Sequence, residues 1–127
     1  MAGERILLVD DNPMNRRVSE FLLKARGYII DEASDGQEAL ALLKQNRPHL
    51  ILMDLQLPGL DGYTITRIIK NDDATKNIPI IALSAYAMSG DAERALEAGC
   101  DAYISKPIDP DEFPKTVASF LDRRDQS

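Results

Sequence analysis

Apolar runs alternate with amphipathic stretches five times along the chain. The apolar runs are short and contain little polar alternation, which is typical of strands covered on both faces of a sheet. They predict strands over residues 5–10, 28–32, 49–54, 79–84 and 102–105. The stretches between and after them have the helical period. The pattern therefore predicts a parallel sheet with five helices on its two faces.

Apolar stripes predict the buried face of each helix. The second helix opens with a capping-box pattern at Ser34, the third begins near Asp61, the fourth runs from Ser89 to about Ala98, and the last has its N-cap near Asp111. In order from the first helix to the last, the predicted inward residues are Met14, Val18, Phe21, Leu22 and Ala25; Ala39, Leu40 and Leu43; Ile65, Ile68 and Ile69; Ala92, Ala95 and Leu96; and Phe113, Val117, Phe120 and Leu121.

Three acidic residues stand at the ends of two predicted strands. Asp10 and Asp11 follow the first strand, and Asp54 ends the third. In the flavodoxin-like strand order 2-1-3-4-5 these strands are neighbours, and ligands bind at their carboxyl ends. Like charges at one edge repel each other unless a cation is shared. Because Mg²⁺ prefers carboxylates, waters and phosphate oxygens, the cluster indicates metal-assisted phosphate chemistry.

Composition narrows the class of protein. A chain of 127 residues with a net charge of −6 predicts one domain and disfavours nonspecific binding to nucleic acid. The single cysteine, Cys100, cannot form an internal disulfide and is interpreted as a small buried hydrophobe. The N-terminus has no signal-peptide pattern, and no apolar run is long enough to span a bilayer. We therefore expect a cytoplasmic protein without a membrane partner.

Two further polar residues end the last two strands. Ser84 ends the fourth, and Lys106 follows the fifth and precedes Pro107. A hydroxyl and an ammonium beside three acids suit a carboxylate that becomes phosphorylated. Simpler interpretations stay open, since Asp10 and Asp11 also suit a turn or helix cap and Lys106 could be a solvated surface lysine.

The chain closely resembles the response-regulator receiver domains of two-component signalling, and most of all stand-alone receivers of the DivK type. The resemblance covers about residues 5–121. The matching segments are Val9-Asp10-Asp11-Asn12, Met53 through Gly62, Leu83-Ser84-Ala85 and Ser105-Lys106-Pro107. The family has the CheY-like version of the flavodoxin-like fold. The resemblance implies a single receiver domain over residues 1–127, with a core of about 4–122.

The resemblance also implies a role for each site residue. Asp54 is the expected phosphoacceptor. Asp10, Asp11, Asp54 and the backbone carbonyl of Gln56 are the expected Mg²⁺ ligands, and Mn²⁺ is expected to substitute. Lys106 and Ser84 are expected to contact the phosphoryl group.

Three further expectations follow from the same family. Tyr103 is the expected rotameric switch residue, although it could be plain core. The Lys106–Pro107 peptide is expected to be cis. Gln56 and Tyr86 occupy positions that control water access to the phosphoryl group, although Tyr86 could simply be an exposed loop aromatic.

The implied function is signalling rather than enzymatic turnover. His49 is the only histidine, and its position at the opposite edge of the sheet favours a structural role. The phosphoryl group is then expected to come from a histidine kinase, a histidine phosphotransfer protein or a small phosphodonor. Output is expected through the face made by the fourth helix, fifth strand and fifth helix, in a cell-cycle or developmental phosphorelay, by a monomer or transient dimer. The alternative is a receiver excised from a hybrid histidine kinase.

Rival functions differ at identifiable positions. A haloacid-dehalogenase-type phosphatase typically has a second acid where this chain has Gln56. A flavodoxin-like FMN carrier needs a hydroxyl- and glycine-rich loop where this chain has residues 10–13. A receiver-shaped scaffold that is never phosphorylated is also open, although every residue that the chemistry needs is present.

Overall fold

The computed structural model describes residues 3–57, 59, 61–84 and 90–126. A five-stranded parallel sheet has the order β2-β1-β3-β4-β5, which confirms the predicted flavodoxin-like fold. The strands are β1 (Arg5–Val9), β2 (Ile29–Ala33), β3 (Leu50–Asp54), β4 (Ile80–Ser84) and β5 (Ala102–Ser105). Each lies within one residue of its predicted bounds at either end. The order places the ends of β1 and β3 side by side.

Five helices cover the sheet on both faces. They are α1 (Pro13–Lys24), α2 (Gly36–Gln45), α3 (Gly62–Lys70), α4 (Asp91–Ala98) and α5 (Glu112–Gln126). One apolar core lies between the sheet and α2, α3 and α4, and it includes Ile51, Met53 and Ile65. The second lies between the sheet and α1 and α5, and it includes Leu8, Leu52 and Phe113. The fully buried strands explain the continuous apolar runs in the sequence.

Three of the helices have an Asn or Asp side chain as their N-cap, next to the carboxyl edge of the sheet. Asn12 caps α1, Asp35 caps α2 and Asp61 caps α3, each by accepting backbone N–H groups of the first turn. The predicted cap at Ser34 is therefore wrong by one residue. Glu38 still reaches back, but its carboxylate accepts from the Ser34 N–H while Asp35 serves as the N-cap.

The start of α5 also differs in detail from the prediction. Asp111 precedes the helix as expected, but the capping side chain is that of Asp109. Its Oδ1 accepts from the N–H groups of Asp111 and Glu112 at 2.8 and 3.1 Å. Asp is favoured at every position before a helix, so the sequence alone did not distinguish the two. The predicted start of α4 at Ser89 lies outside the described residues.

The predicted inward face of α1 is wrong for four of its five residues. Met14, Val18 and Phe21 are 66, 44 and 74% exposed and Ala25 is exposed as well, whereas Ser19 and Leu23 are buried. The same error occurs at Ile68 of α3 and Leu96 of α4, which are also exposed. Periodicity cannot tell a core face from an outer apolar face.

The contacts of His49 and the burial of Cys100, two residue types that often have catalytic or metal-binding roles, indicate a structural role here. His49 Nδ1 accepts the Arg5 N–H at 3.0 Å, where β1 begins and β3 approaches. Cys100 is buried behind α4, and this burial raises the pKa of its thiol. These contacts agree with the structural interpretation of both. Within the described ranges, no helix is long and apolar enough to cross a membrane.

Candidate functional site

Three carboxylates meet at the carboxyl edge of the sheet. Asp10 follows β1, Asp11 is the next residue, and Asp54 ends β3. Carboxylate oxygens from all three lie within 4.8 Å of one another. Asp10 and Asp54 are almost fully buried, whereas Asp11 is exposed. Two charges are thus fixed inside the protein, and the third opens the cluster to solvent.

Lys106 places a positive charge between the two buried acids. Its Nζ lies 3.3 Å from Asp10 Oδ2 and 3.3 Å from Asp54 Oδ2. Its backbone N–H donates to the Ser84 carbonyl at 2.8 Å, which continues the pairing of β4 and β5. The Lys106–Pro107 peptide is cis. One ammonium partly compensates three carboxylates, so the cluster keeps a negative charge that favours a cation.

The electrostatic setting of Asp54 is unusual for a carboxylate. Burial raises the pKa of Asp54 to about 6, and the nearby Asp10 adds to this rise. Two donors oppose it: the Gln56 N–H, 3.0 Å from Asp54 Oδ1, and the Lys106 ammonium. The surroundings of Asp54 therefore disfavour its charged form. A bound cation or a covalent modification would reduce the free-energy cost of that buried charge.

Ser84 is completely buried at the end of β4, one residue beyond the partner of Asp54 in the strand register. The Gln56 side-chain Nε2 donates to Ser84 Oγ at 3.0 Å. The sequence predicted both residues near the site but not this bond between them. It connects the loop after β3 to the hydroxyl at the end of β4.

Tyr103 lies on β5 and packs against the core on the side of α2, α3 and α4. Its hydroxyl is buried and makes no hydrogen bond within the described part of the chain. A buried hydroxyl without a hydrogen-bond partner costs free energy. A rearranged state in which this hydroxyl finds a partner would therefore be stabilised by the new hydrogen bond. Tyr86, the other predicted aromatic, lies outside the described residues.

Sequence reasoning missed two residues that shape the site. A Cβ on Gly62 would lie 2.5 Å from the Asp54 carbonyl oxygen and 2.7 Å from Leu55 Cα, so only glycine lets α3 approach the end of β3. Arg16 of α1 donates from a guanidinium nitrogen to the Asp10 carbonyl at 2.6 Å. The Asp-Gly pair at positions 61 and 62 is a local sequence signal that could have identified Gly62. Nothing in the residue spacing distinguishes Arg16 from the other arginines.

The arrangement fits a hard divalent cation. Its ligand atoms are carboxylate oxygens that lie close enough to be shared by one ion. Burial disfavours the charged form of Asp54 and raises its pKa to about 6, and a cation would offset that cost. Mg²⁺ prefers this donor type and keeps several waters, which the exposed side at Asp11 allows. The site is thus chemically suited to the metal that the sequence predicted.

Known proteins agree with this geometry. Residues 6–118 match the family described as response regulator receiver domain. The polar-differentiation response regulator DivK of Brucella anthropi is 45% identical over 116 residues, which cover 91% of this chain and 94% of that protein. The match therefore leaves little of that relative outside the receiver domain.

Solved structures agree as well. A putative response regulator from Chloroflexus aurantiacus has a TM-score of 0.92 and 33% identity, with 95 and 99% of the two chains covered. The receiver domain of sensor histidine kinase PA1611 from Pseudomonas aeruginosa, solved with a magnesium ion coordinated in its active site cleft, has a TM-score of 0.88 and 40% identity, with 95 and 99% covered. The chain described here belongs to the response-regulator receiver domains.

Proposed function

We propose that this protein is a single-domain response regulator that accepts a phosphoryl group on Asp54 from a histidine kinase or histidine phosphotransfer protein. The observation that carries the proposal is the cluster of Asp10, Asp11 and Asp54 around the Lys106 ammonium. Burial disfavours the charge of Asp54 and raises its pKa to about 6. It also has Lys106 beside one carboxylate oxygen and the Gln56 N–H beside the other.

The reaction is a transfer between two nucleophiles. An Asp54 carboxylate oxygen forms a bond to phosphorus as the bond from phosphorus to the donor's histidine nitrogen breaks. The imidazole keeps that electron pair and leaves neutral, because its other ring nitrogen already carries a proton. Asp10, Asp11, Asp54 and the Gln56 carbonyl would hold Mg²⁺ or Mn²⁺, which when bound supplies positive charge to the carboxylate and phosphoryl oxygens. Lys106 pairs with a phosphoryl oxygen and stabilises the charge that develops there.

The product would change the neighbouring strands. The phosphoryl group carries close to two negative charges. Ser84 then exchanges its bond with Gln56 for one to a phosphoryl oxygen, and the displacement of Ser84 moves the chain after β4. Tyr103 repacks, and the α4-β5-α5 face takes the form that a downstream protein binds. Slow hydrolysis of the aspartyl phosphate, controlled in part by Gln56 and Tyr86, returns the protein to rest.

The outer apolar face of α1 is suited to the phosphodonor. Met14, Val18 and Phe21 are exposed on it, and a groove of about 160 Å³ lies beside it, lined by Asn15, Val18, Lys106, Pro107 and Ile108. This surface is continuous with the site through Lys106, so a donor protein seated on it would lie next to Asp54. Exposed apolar patches of this kind mark interaction sites.

A pair of variants tests this docking surface. Phe21→Ala should slow phosphotransfer from a phosphorylated histidine kinase by at least about tenfold, since truncating a central aromatic anchor costs about 2 kcal/mol. Ile68→Ala removes an exposed apolar side chain from α3 and should leave that rate unchanged. Both variants should react with acetyl phosphate at the wild-type rate. Equal rates from the kinase for the two variants would remove α1 as the docking face.

The pathway is proposed from similarity. DivK of Brucella anthropi is a polar-differentiation response regulator. The corresponding proposal for this chain is a regulator in a cell-cycle or developmental phosphorelay in the cytoplasm. The receiver of a sensor histidine kinase, at 40% identity, supports the second candidate, a receiver that works within a hybrid kinase. The 45% identity to DivK is the observation that favours the first.

The test of the proposed function is intact mass after incubation with acetyl phosphate. Wild type with Mg²⁺ should gain one phosphoryl group, whereas wild type in EDTA and Asp54→Ala with Mg²⁺ should gain none. Asp61→Ala, which removes an exposed helix-capping carboxylate instead, should still be modified. Absence of modification in wild type, together with no binding of beryllofluoride, would show a phosphorylation-independent binding module.

A further inference from the structure

Arg16 joins three elements beside the acidic cluster. It lies on α1, donates a hydrogen bond of 2.6 Å to the Asp10 carbonyl at the end of β1, and has its Nε 3.4 Å from Glu32 Oε1 on β2. Its side chain is only 20% exposed, although arginine usually lies in solvent. A guanidinium is a rigid planar fork, so two such contacts fix its orientation.

The carbonyl that Arg16 holds belongs to the peptide between Asp10 and Asp11. The Asp10 N–H donates to the Ala33 carbonyl, and its Oδ1 accepts the Asn12 N–H at 2.9 Å. With Arg16 on the carbonyl, both sides of Asp10 are tied. The direction of this peptide decides where the next side chain leaves the backbone, and the next side chain is the exposed carboxylate of Asp11.

We propose that Arg16 is a positioning residue for cation binding at the acidic cluster: anchored by Glu32, it fixes the Asp10–Asp11 peptide so that both carboxylates face one ion. The inference rests on the proposed function, because it concerns how that site is prepared. Residues that orient metal ligands through a hydrogen bond typically change metal affinity by 10–100-fold. Arg16 would act on the backbone of the ligands rather than on the ion.

Electrostatics alone makes the opposite prediction. Arg16 is a cation close to a cation site, so removing it should strengthen binding of Mg²⁺ if its charge acted only through space. Arg17 is the natural control, because it carries the same charge at the next position and is exposed. The sign of the effect on Mg²⁺ affinity therefore distinguishes positioning from field effects.

The experiment is a calorimetric titration of the full chain with Mg²⁺ alone, without phosphodonor. Arg16→Ala should raise the Kd for Mg²⁺ by about tenfold, Arg16→Lys should recover part of the affinity, and Arg17→Ala should stay within about twofold of wild type. In the metal-free protein, the amide NMR shifts of Asp11 and Asn12 should change in Arg16→Ala and not in Arg17→Ala.

Glu32→Gln provides a second route if Arg16→Ala folds poorly. It loosens the anchor of Arg16 without touching the cluster and should weaken Mg²⁺ binding by a smaller factor. Unchanged or tighter binding in both Arg16→Ala and Glu32→Gln would overturn the inference, as would thermal destabilisation of these variants without a change in Kd. Failure of wild type to bind Mg²⁺ at all would instead contradict the proposed function.

Discussion

The two sides of the sheet edge are held differently. On one side Asp10, Asp11, Asp54 and Lys106 form what we call the charge cluster, in which Lys106 bridges two acids and Asp10 is bonded through its backbone and its side chain. On the other, Ser84, Tyr103 and α4 form the responsive side. There the Tyr103 hydroxyl has no hydrogen-bond partner within the described ranges, and Gly90 gives α4 no side-chain cap.

The proposed function gives each side its own role, in which the charge cluster would receive the phosphoryl group and the responsive side would change in response. A fixed constellation lowers the cost of arranging groups around a phosphoryl group. On the responsive side, the unsatisfied hydroxyl of Tyr103 reduces the free-energy difference to a second arrangement in which that hydroxyl has a partner. The Arg94 guanidinium of α4 lies 4.3 Å from the centroid of the Tyr63 ring of α3, and Ala95 and Ala98 of α4 are buried in the core. The contact between Arg94 and Tyr63 is worth about 1 kcal/mol.

The largest expected effect comes from a substitution where α3 contacts the end of β3, next to the charge cluster. Gly62→Ala places a methyl group against the Asp54 carbonyl and Leu55 Cα, backbone atoms that cannot move aside. We expect a loss of about 3 kcal/mol in the free energy of unfolding, measured by urea denaturation. Arg67→Ala, an exposed change on the same helix, should stay within about 0.5 kcal/mol of wild type. A Gly62→Ala protein as stable as that control would contradict the tight approach of α3.

The next effect concerns the charge stored in the cluster. The pKa of Asp54 is raised to about 6 from 3.8, so its folded form prefers the proton. Stability from this group is present below pH 3.8 and is lost as pH rises through 6. Asn cannot ionise, so Asp54→Asn should be more stable than wild type at pH 7, by up to about 3 kcal/mol, with the gain vanishing near pH 3.

Urea denaturation at pH 3, 5 and 7 measures this dependence. Asp73→Asn, at a carboxylate that is 94% exposed, is the matched control and should show little change at any of the three. Mg²⁺ at pH 7 should narrow the difference between wild type and Asp54→Asn, because only the wild type has the full ligand set. A gain that is equal at pH 3 and pH 7 would rule out ionisation of Asp54 as its source.

The smallest effect is expected on the responsive side. Tyr103→Phe deletes a buried hydroxyl that has no described partner, so the free energy of unfolding should rise by up to about 1 kcal/mol. The comparison with wild type is made in urea at pH 7 without a phosphodonor. A decrease of about 1 kcal/mol or more in the free energy of unfolding would show that the hydroxyl has a hydrogen-bond partner in the unphosphorylated protein. The responsive side would then have no unsatisfied hydroxyl to drive a rearrangement.

The sequence predicted the sheet and the charge cluster well because both depend on local signals. Buried parallel strands leave apolar runs, and acids at their ends are visible without knowledge of packing. The strand order followed from requiring Asp10 and Asp54 to meet. The polar bond between Gln56 and Ser84 was missed because it joins positions 28 residues apart and depends on side-chain direction.

Helix faces were predicted less well, for a physical reason. Met14, Val18 and Phe21 have the spacing of a core stripe, yet α1 buries Ser19 and Leu23 instead. The orientation of α1 agrees with its tertiary contacts, the cap at Asn12 and the contact from Arg16 to Asp10, which periodicity does not contain. An apolar stripe therefore does not show whether a helix face lies in the core or on the surface.

We propose that the charge of a phosphoryl group on Asp54 alters the responsive side through Ser84. Amide NMR shifts on addition of Mg²⁺ and beryllofluoride, which mimics the phosphoryl group, test this in wild type and Ser84→Ala. Wild type should show changes around the charge cluster and along α4 and β5, whereas Ser84→Ala should bind the mimic and show changes around the cluster alone. Equal changes along α4 and β5 in both proteins would contradict the account.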